Sequence, residues 1–279
     1  MQRLESIASL QKTIAQERAN GHTIGLVPTM GALHQGHMSL VQKAREKANI
    51  VVVSAFVNPT QFNDPRDFET YPRTPDEDAR LLDAAGVDVL FVPTEAEIYP
   101  EPDTRIFDLG SVAEVMEGPR RPGHFNGVCQ IVSKLFDYVK PDFAFFGEKD
   151  FQQIAVIRRM LQITGQSVEI VPCPIIREDD GLAKSSRNVR LNTKQRQIAP
   201  QIHHFLAEST KLKATKTPIE ARDWVIDQIN HQPEMAVEYY EIVDGRSLLP
   251  IENWSDSQEP VGCITVYCGE VRLIDNIRY

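Results

Sequence analysis

Four cysteines, Cys129, Cys173, Cys263 and Cys268, are the whole thiol content of 279 residues, and no two of them form a CxxC or a zinc-ribbon spacing. That argues against a disulfide scaffold and a cysteine-held metal. With no signal-peptide pattern at the start, reduced thiols in the cytoplasm are expected. Cys263 and Cys268 sit in an apolar run and read as packing residues. No apolar stretch reaches spanning length, so no transmembrane helix and no membrane partner are expected. Basic charge is also in short supply. Lys plus Arg number 30 against 39 for Asp plus Glu, a net charge of -9. General binding to nucleic acid or to an anionic membrane is therefore disfavoured. An anionic substrate would need a local basic cluster. Neither G-x-G-x-x-G nor G-x-x-x-x-G-K-[ST] occurs, so the usual glycine-rich phosphate signatures are missing.

What is present is enough apolar sequence for a proper core, 42% of residues, in a chain long enough for one large or two modest domains. Thr23 to Leu40, TIGLVPTMGALHQGHMSL, is the stretch around which the rest is arranged. Ile24 to Val27 reads as a buried strand, and Pro28, which has no N–H for a ladder, is expected to end it. Thr29 to Gly31 make a tight turn. Leu40, Val41 and Ala44 then follow with the spacing of a buried helix face. His34 and His37 thus stand on a turn entering a helix N-terminus, where backbone N–H groups and the helix dipole favour an anion. No further His or Cys lies at ligand spacing beside this pair, which argues against zinc.

Strands alternate with helices along the first part of the chain. Ile50 to Val57 is a β-branched run of the kind covered on both faces in a parallel sheet. Val87 to Val92, Asp142 to Phe146 and Val168 to Val171 read as further strands. Helices are expected over 4–19, 38–48, 76–85, 128–139 and 151–163, and residues 63–75 and 93–123 read as irregular. This pattern predicts an α/β fold with a Rossmann-like parallel sheet over residues 1–176. A smaller α+β C-terminal domain over 177–279 follows, with helices over 193–212 and 218–232 and strands over 236–243, 261–268 and 271–277. Polar turns, PTMGALHQGH, NPTQF and GEKDFQQ, come after strand C-terminal ends, where open α/β sheets bind ligands.

Several residues in these turns can do chemistry. Lys149, between Glu148 and Asp150, is either a solvated lysine or a phosphate clamp. Gln61 and Gln153 can orient a small polar substrate through carbonyl and amide together. Lys184, Ser185, Ser186 and Arg187 form a polar loop suited to the outer phosphates of a triphosphate, or a plain interdomain loop. The acidic run Asp76, Glu77 and Asp78 could reach a phosphate-bound Mg²⁺ or simply stabilise its own helix dipole.

The histidine turn resembles the HIGH signature, and the Lys/Ser/Arg loop the KMSKS signature, of class I aminoacyl-tRNA synthetases and related nucleotidyltransferases. More specifically, PTMGALHQGH, FVNPTQF, YPRTPDEDA, RPGHFNGV, FFGEKDFQQ and GLAKSSRN, in this order, resemble the pantothenate synthetase (pantoate–β-alanine ligase) family. The match runs from about Ile24 to Asn192 and is looser in the C-terminal third. Lys184 stands where many family members carry an apolar residue.

The resemblance implies ATP-dependent condensation of (R)-pantoate with β-alanine through pantoyl adenylate, releasing pyrophosphate and AMP, in a cytoplasmic homodimer that uses Mg²⁺. It assigns Met30, Gly31, Ala32, Leu33, His34, Gln35, Gly36 and His37 to ATP, with His37 as proton donor. Gly147, Glu148, Lys149, Asp150, Ile176 and Lys184 to Arg187 are implied nucleotide contacts. Gln61 and Gln153 would hold pantoate, with Gln61 also near β-alanine. His34, His37 and Lys149 would carry the chemistry by neutralising phosphate charge. Closure of a loop or of the small domain over the adenylate is also expected. Another HxGH-type adenylyltransferase or a nucleotide-binding regulatory module would share the phosphate motifs, and pantoate-dependent exchange would separate them.

Overall fold

The computed structural model describes residues 1–279. Chain contacts divide it into two compact units. The first comprises Met1–Leu109, Arg121–Glu148 and Gln153–Pro174. The second comprises Gly110–Arg120, Lys149–Gln152 and Ile175–Tyr279, so it takes in two segments that a single boundary after residue 176 would leave with the first.

In chain order the elements up to the last parallel strand are β1 (Gln2–Leu4), α1 (Ile7–Ala19), β2 (Ile24–Thr29), α2 (Gln35–Lys47), β3 (Ile50–Ala55), α3 (Pro65–Glu69) and α4 (Pro75–Ala84). There follow β4 (Val89–Phe91), α5 (Glu95–Ile98), α6 (Glu117–Arg120), α7 (His124–Val139), β5 (Phe143–Gly147), α8 (Phe151–Thr164) and β6 (Glu169–Cys173). The six strands form one parallel sheet in the order β1-β4-β3-β2-β5-β6. Strand order reverses between β2 and β5, which makes the C-terminal end of β2 the expected binding crevice of an open α/β sheet. The core beside β2 joins Val27, Val51, Val53, Leu90 and Phe145 from strands to Leu40, Val41 and Ala44 from α2. Each of the larger of these side chains contributes roughly 1.5–3 kcal/mol of burial, so α2 is held against the sheet whatever its polar end does.

Four features differ from the sequence expectation. The strand does not end at Pro28: β2 pairs with β3 as far as Thr29↔Ala55. Asp142 N–H donates to Ile24 O, and Phe56 N–H donates to Thr29 O. Even-numbered residues of β2 therefore turn their peptide groups towards β5 and odd-numbered ones towards β3. Pro28 faces the β5 side, where pairing has already stopped at Leu26↔Ala144, so its missing N–H breaks no ladder bond. The second difference is at the N-terminus, where Gln2–Leu4 is an edge strand paired with β4 and the helix expected from residue 4 begins at Ile7. Within 63–75 and 93–123, the short helices α3, α5 and α6 interrupt what the prolines suggested was irregular chain.

The second unit carries α9 (Thr193–Ile198), α10 (Gln201–Leu212), α11 (Pro218–Asn230) and the antiparallel sheet β7 (Met235–Asp244), β8 (Pro260–Cys268) and β9 (Val271–Arg278). The single helix expected over 193–212 is two helices, because Pro200 has no N–H to continue the ladder. Leu206, Val225, Tyr240, Ile264 and Val266 form its core. Glu117 of α6 is fixed on the sheet by the Arg272 guanidinium at 2.7 and 2.8 Å, the Tyr239 hydroxyl at 2.7 Å and the Thr265 hydroxyl at 2.9 Å. Burial opposes charge on Arg272, but hydrogen bonds to Glu117 and Glu238 outweigh it and raise its pKa. Gln152 anchors the preceding loop, donating to the carbonyls of Val112 and Val115 and accepting from Glu117 N–H.

Candidate active site

The turn after β2 is built from its backbone outward. The Thr29 hydroxyl donates to Ser54 O at 2.7 Å and accepts from Gly31 N–H at 3.1 Å. Gly31 and Ala32 both adopt left-handed backbone, φ 76° and 49°, a conformation that costs little at glycine and more at alanine. The carboxylate of Asp78 compensates. It accepts Ala32 N–H at 2.9 Å, Leu33 N–H at 2.8 Å and the Thr74 hydroxyl at 3.1 Å. Only 2% of Asp78 is exposed.

His34 and His37 then close the N-terminus of α2. Nδ1 of His34 accepts Gly36 N–H at 3.0 Å, and Nδ1 of His37 accepts His34 N–H at 3.2 Å, a reciprocal capping box made of imidazoles. A ring nitrogen that accepts is unprotonated. Both imidazoles therefore carry their proton on Nε2, and the two rings lie 4.1 Å apart.

Gln61 sits on the one-turn helix after β3. Its amide nitrogen contacts Met30 Sδ at 3.1 Å, and its carbonyl oxygen accepts from Asn58 Nδ2 at 3.2 Å. Asn58 is buried and also donates to Gly127 O at 3.1 Å, while its carbonyl accepts the Tyr99 hydroxyl at 2.8 Å. Burial pushes the Tyr99 phenol up to about 12, so it stays a donor. The Arg121 guanidinium donates to His124 Nε2 at 3.0 Å, which leaves the proton on Nδ1 for Gln61 O at 2.7 Å. A Cβ on Gly127 would lie 2.2 Å from Thr60 O, so only glycine lets α7 approach this closely. RPGHFNGV is thus the buttress of the Gln61 turn. Asn58, His124 and Gly127 are supporting residues that sequence reasoning did not single out, although the motifs that contain them were visible. Gln153 lies half-buried on the first turn of α8. Gly147 ends β5 opposite Cys173, and Glu148 follows it.

Behind the histidine turn lies a cavity of about 340 Å³, with Met30, Gly31, Phe56, Arg73 and Asp78 among its lining residues.

The second unit holds the other candidates. The Lys149 ammonium is 3.9 Å from Asp150, and Lys149 O accepts from Asn276 Nδ2 at 3.2 Å. Ile176 O accepts Lys184 N–H at 2.9 Å, next to the Arg177↔Ala183 bridge, so the polar loop leaves from a small hairpin. The Lys184 ammonium is held by Glu178 at 2.5 Å. Ser185 Oγ accepts Arg187 N–H at 3.2 Å, and Asn188 Nδ2 donates to Ala183 O at 3.0 Å. Arg177 grips Asp275 at 2.7 and 3.0 Å.

The acidic run does not converge on a metal. Asp76 is 98% exposed at its side chain and lies 3.6 Å from Arg3. Glu77 pairs with Arg80 at 2.6 Å, and Asp78 turns inward to the histidine turn. No group of three His, Cys, Asp or Glu side chains comes together to hold an ion. These residues form no all-protein cage, and magnesium ordinarily takes most of its octahedral oxygen ligands from substrate phosphates and water. The thiols are unpaired and buried, and burial pushes Cys129 up to about 12 and Cys173 up to about 11, the range of inert packing cysteines. No helix is long and apolar enough to cross a membrane.

This arrangement has close counterparts among known proteins. The family model for pantoate-beta-alanine ligase matches residues 2–278. A pantothenate synthetase of Porphyromonas gingivalis is 61% identical over 279 residues, covering 100% of this chain and 99% of the relative. One of Bacteroides thetaiotaomicron is 53% identical over the same length, with the same coverage. Among solved structures, pantothenate synthetase from Thermus thermophilus superposes with a TM-score of 0.93 at 40% identity, covering 99% of each chain. Pantoate-beta-alanine ligase from Francisella tularensis, solved with beta-gamma ATP and beta-alanine, gives a TM-score of 0.84 at 35% identity, covering 100% of this chain and 97% of that one.

Proposed function

Because this chain belongs to the pantoate–β-alanine ligase family and so joins pantoate to β-alanine at the expense of ATP, we propose that its adenylation chemistry is carried by the histidine turn after β2. The observation behind this reading is the reciprocal imidazole cap, in which each Nδ1 is an acceptor and each Nε2 keeps its proton. Two neutral N–H donors then stand at a helix N-terminus beside the sheet's switch point, a setting suited to phosphate oxygens.

In the first step a pantoate carboxylate oxygen bonds to the α-phosphorus, and the bond from that phosphorus to the bridging oxygen breaks, releasing pyrophosphate. In the second, the β-alanine amine bonds to the acyl carbon, the acyl–oxygen bond breaks, AMP leaves and the amine loses its proton. Neither step needs a protein nucleophile. The chain's task is to align the reactants and to neutralise phosphate charge. Met30 to His37, Gly147 to Asp150, Ile176 and Lys184 to Arg187 are proposed to contact ATP, with His34, His37 and Lys149 meeting phosphate charge. The proton His37 can offer is the one on Nε2. Gln61 and Gln153 are proposed to hold pantoate, with Gln61 also serving β-alanine. The contacts from Asn58, His124 and Met30 that hold Gln61 in place support this. Magnesium enters with the triphosphate, and no carboxylate of this chain is proposed to hold it. Four unpaired buried thiols are in keeping with a cytoplasmic enzyme. A homodimer is proposed from the family.

Exchange of labelled pyrophosphate into ATP tests this reading. Exchange that requires pantoate but not β-alanine, and that collapses in His37→Ala, is the expected result. Exchange indifferent to pantoate would overturn it.

A further inference from the structure

We propose that Asp78 is the positioning residue of the adenylation step, acting as a built-in anion for the histidine turn. This inference rests on the assignment of that turn to ATP.

The turn offers its own amides to side chains before any ligand arrives. Ala32 and Leu33 N–H go to the Asp78 carboxylate, Gly36 N–H to His34, and His34 N–H to His37. A helix N-terminus whose amides are satisfied this way is a weaker backbone cradle than a glycine-rich phosphate loop. Recognition of a phosphate then falls more heavily on the Nε2–H edges of the two imidazoles. Their orientation depends on where α2 begins, and that depends on the left-handed pair Gly31 and Ala32. The Thr29 hydroxyl holds the Gly31 amide, and Asp78 holds Ala32 together with Leu33 after it. A Cβ added at Gly31 would come within 3.0 Å of Asp78 Oδ2, so carboxylate and turn are in close contact. Asp78 is itself fixed twice, by the Thr74 hydroxyl and by its place in α4, where its N–H donates to Thr74 O at 2.9 Å. Asp76 and Glu77, its neighbours in sequence, face Arg3 and Arg80 and play no part. Asp78 and Gly31 both line the cavity behind the turn, so on that side no packed side chain could replace the carboxylate's grip.

Asp78→Asn tests the assignment. The amide keeps the shape but turns N–H groups towards one of the backbone donors. The expected result is a fall of about 10–100-fold in kcat for pantoate-dependent pyrophosphate exchange and a raised KM for ATP, with KM for pantoate unchanged. Nitrogen-detected NMR of the imidazoles supplies a readout that a purely structural role would not move. Wild type should show both histidines protonated on Nε2, and the variant a mixture of tautomers for His34 and His37. Thr74→Val, which removes only the third donor to Asp78, should shift both readouts in the same direction to a smaller degree, and it serves if Asp78→Asn does not fold. Wild-type exchange constants and unchanged tautomers in folded variants would overturn the proposal. Wild-type protein that lacks pantoate-dependent exchange, yet shows the tautomer change in the variants, would instead sink the functional assignment and leave the positioning role standing.

Discussion

His34 and His37 cap each other's end of α2, with Nδ1 of His37 on the backbone N–H of His34 at 3.2 Å and Nδ1 of His34 on Gly36 N–H at 3.0 Å. One side of each ring is structural, and the other carries the Nε2–H assigned to phosphate. The two roles can be separated. His34→Asn keeps a good N-cap and removes the Nε2–H. Its thermal stability should stay within about 1 kcal/mol of wild type, while pantoate-dependent exchange should fall roughly 100-fold, the usual effect of losing one preorganised donor. A variant that unfolds early while its exchange rate survives would reverse this division of labour.

Gly127 gives a second separation, between ATP and pantoate. Its position 2.2 Å from Thr60 O, measured to an added Cβ, leaves no room for alanine without moving α7 or the turn that carries Gln61. Gly127→Ala should destabilise the first unit by about 1–3 kcal/mol through overpacking. It should also raise KM for pantoate several-fold while leaving KM for ATP close to wild type, because the histidine turn is braced separately by Asp78. Steady-state exchange kinetics with each substrate varied in turn would decide.

The parallel sheet was legible because its strands are β-branched or aromatic runs ending in polar turns, and the pairing of Ile50–Ala55 with β2 follows that reading. The histidine turn was legible as a turn entering a helix N-terminus, whereas the use of both imidazoles as caps for that helix was not. What could not be read depends on contacts distant in sequence. Pro28 remains in a strand only because β5 has stopped pairing on that side. The acidic run looked like one cluster, yet its three carboxylates diverge, since successive helix residues point about 100° apart. Asp78 meets a turn 45 and 46 residues away, and no local pattern encodes that meeting. Asn58 and His124 read as loop polar groups until α7, which begins at His124, is docked on the turn that carries Asn58 and Gln61. Strand β1 is three residues long and carries too little pattern to stand out from the helix after it.

Glu117 is the polar centre of the second unit. Its carboxylate meets Arg272, Tyr239 and Thr265 at 2.7–2.9 Å. Glu117→Gln leaves the Arg272 guanidinium with only Glu238 as an ionic partner in a largely buried setting. Breaking a buried pair from one side costs about 3–5 kcal/mol. The unfolding transition of the second unit should therefore move to a clearly lower temperature. A double variant that also replaces Arg272 with methionine should recover part of the loss, because the stranded charge is gone. Equal melting temperatures for all three proteins would show that this network contributes nothing net.

His203 makes the second unit sensitive to mild acid. Its Nδ1 is buried without a hydrogen-bond partner and lies 4.0 Å from Asp275. Asp275 is already gripped by Arg177 at the foot of the hairpin that leads to Lys184. Burial is the main cause that lowers the His203 pKa below 6.5, Arg177 adds to it, and Asp275 opposes it only in part. The folded state therefore favours neutral imidazole. As pH falls below 6.5 the unfolded chain takes up a proton that the folded chain resists, so stability is lost from that point down through the lowered folded pKa. His203→Gln should flatten this slope between about pH 7 and pH 5, the range over which an ordinary histidine titrates. Urea unfolding at half-unit pH steps would measure it. The wild-type curve should fall towards acid more steeply than the variant's. Parallel curves would assign the acid sensitivity to other groups and leave His203 as packing beside the Arg177–Asp275 pair.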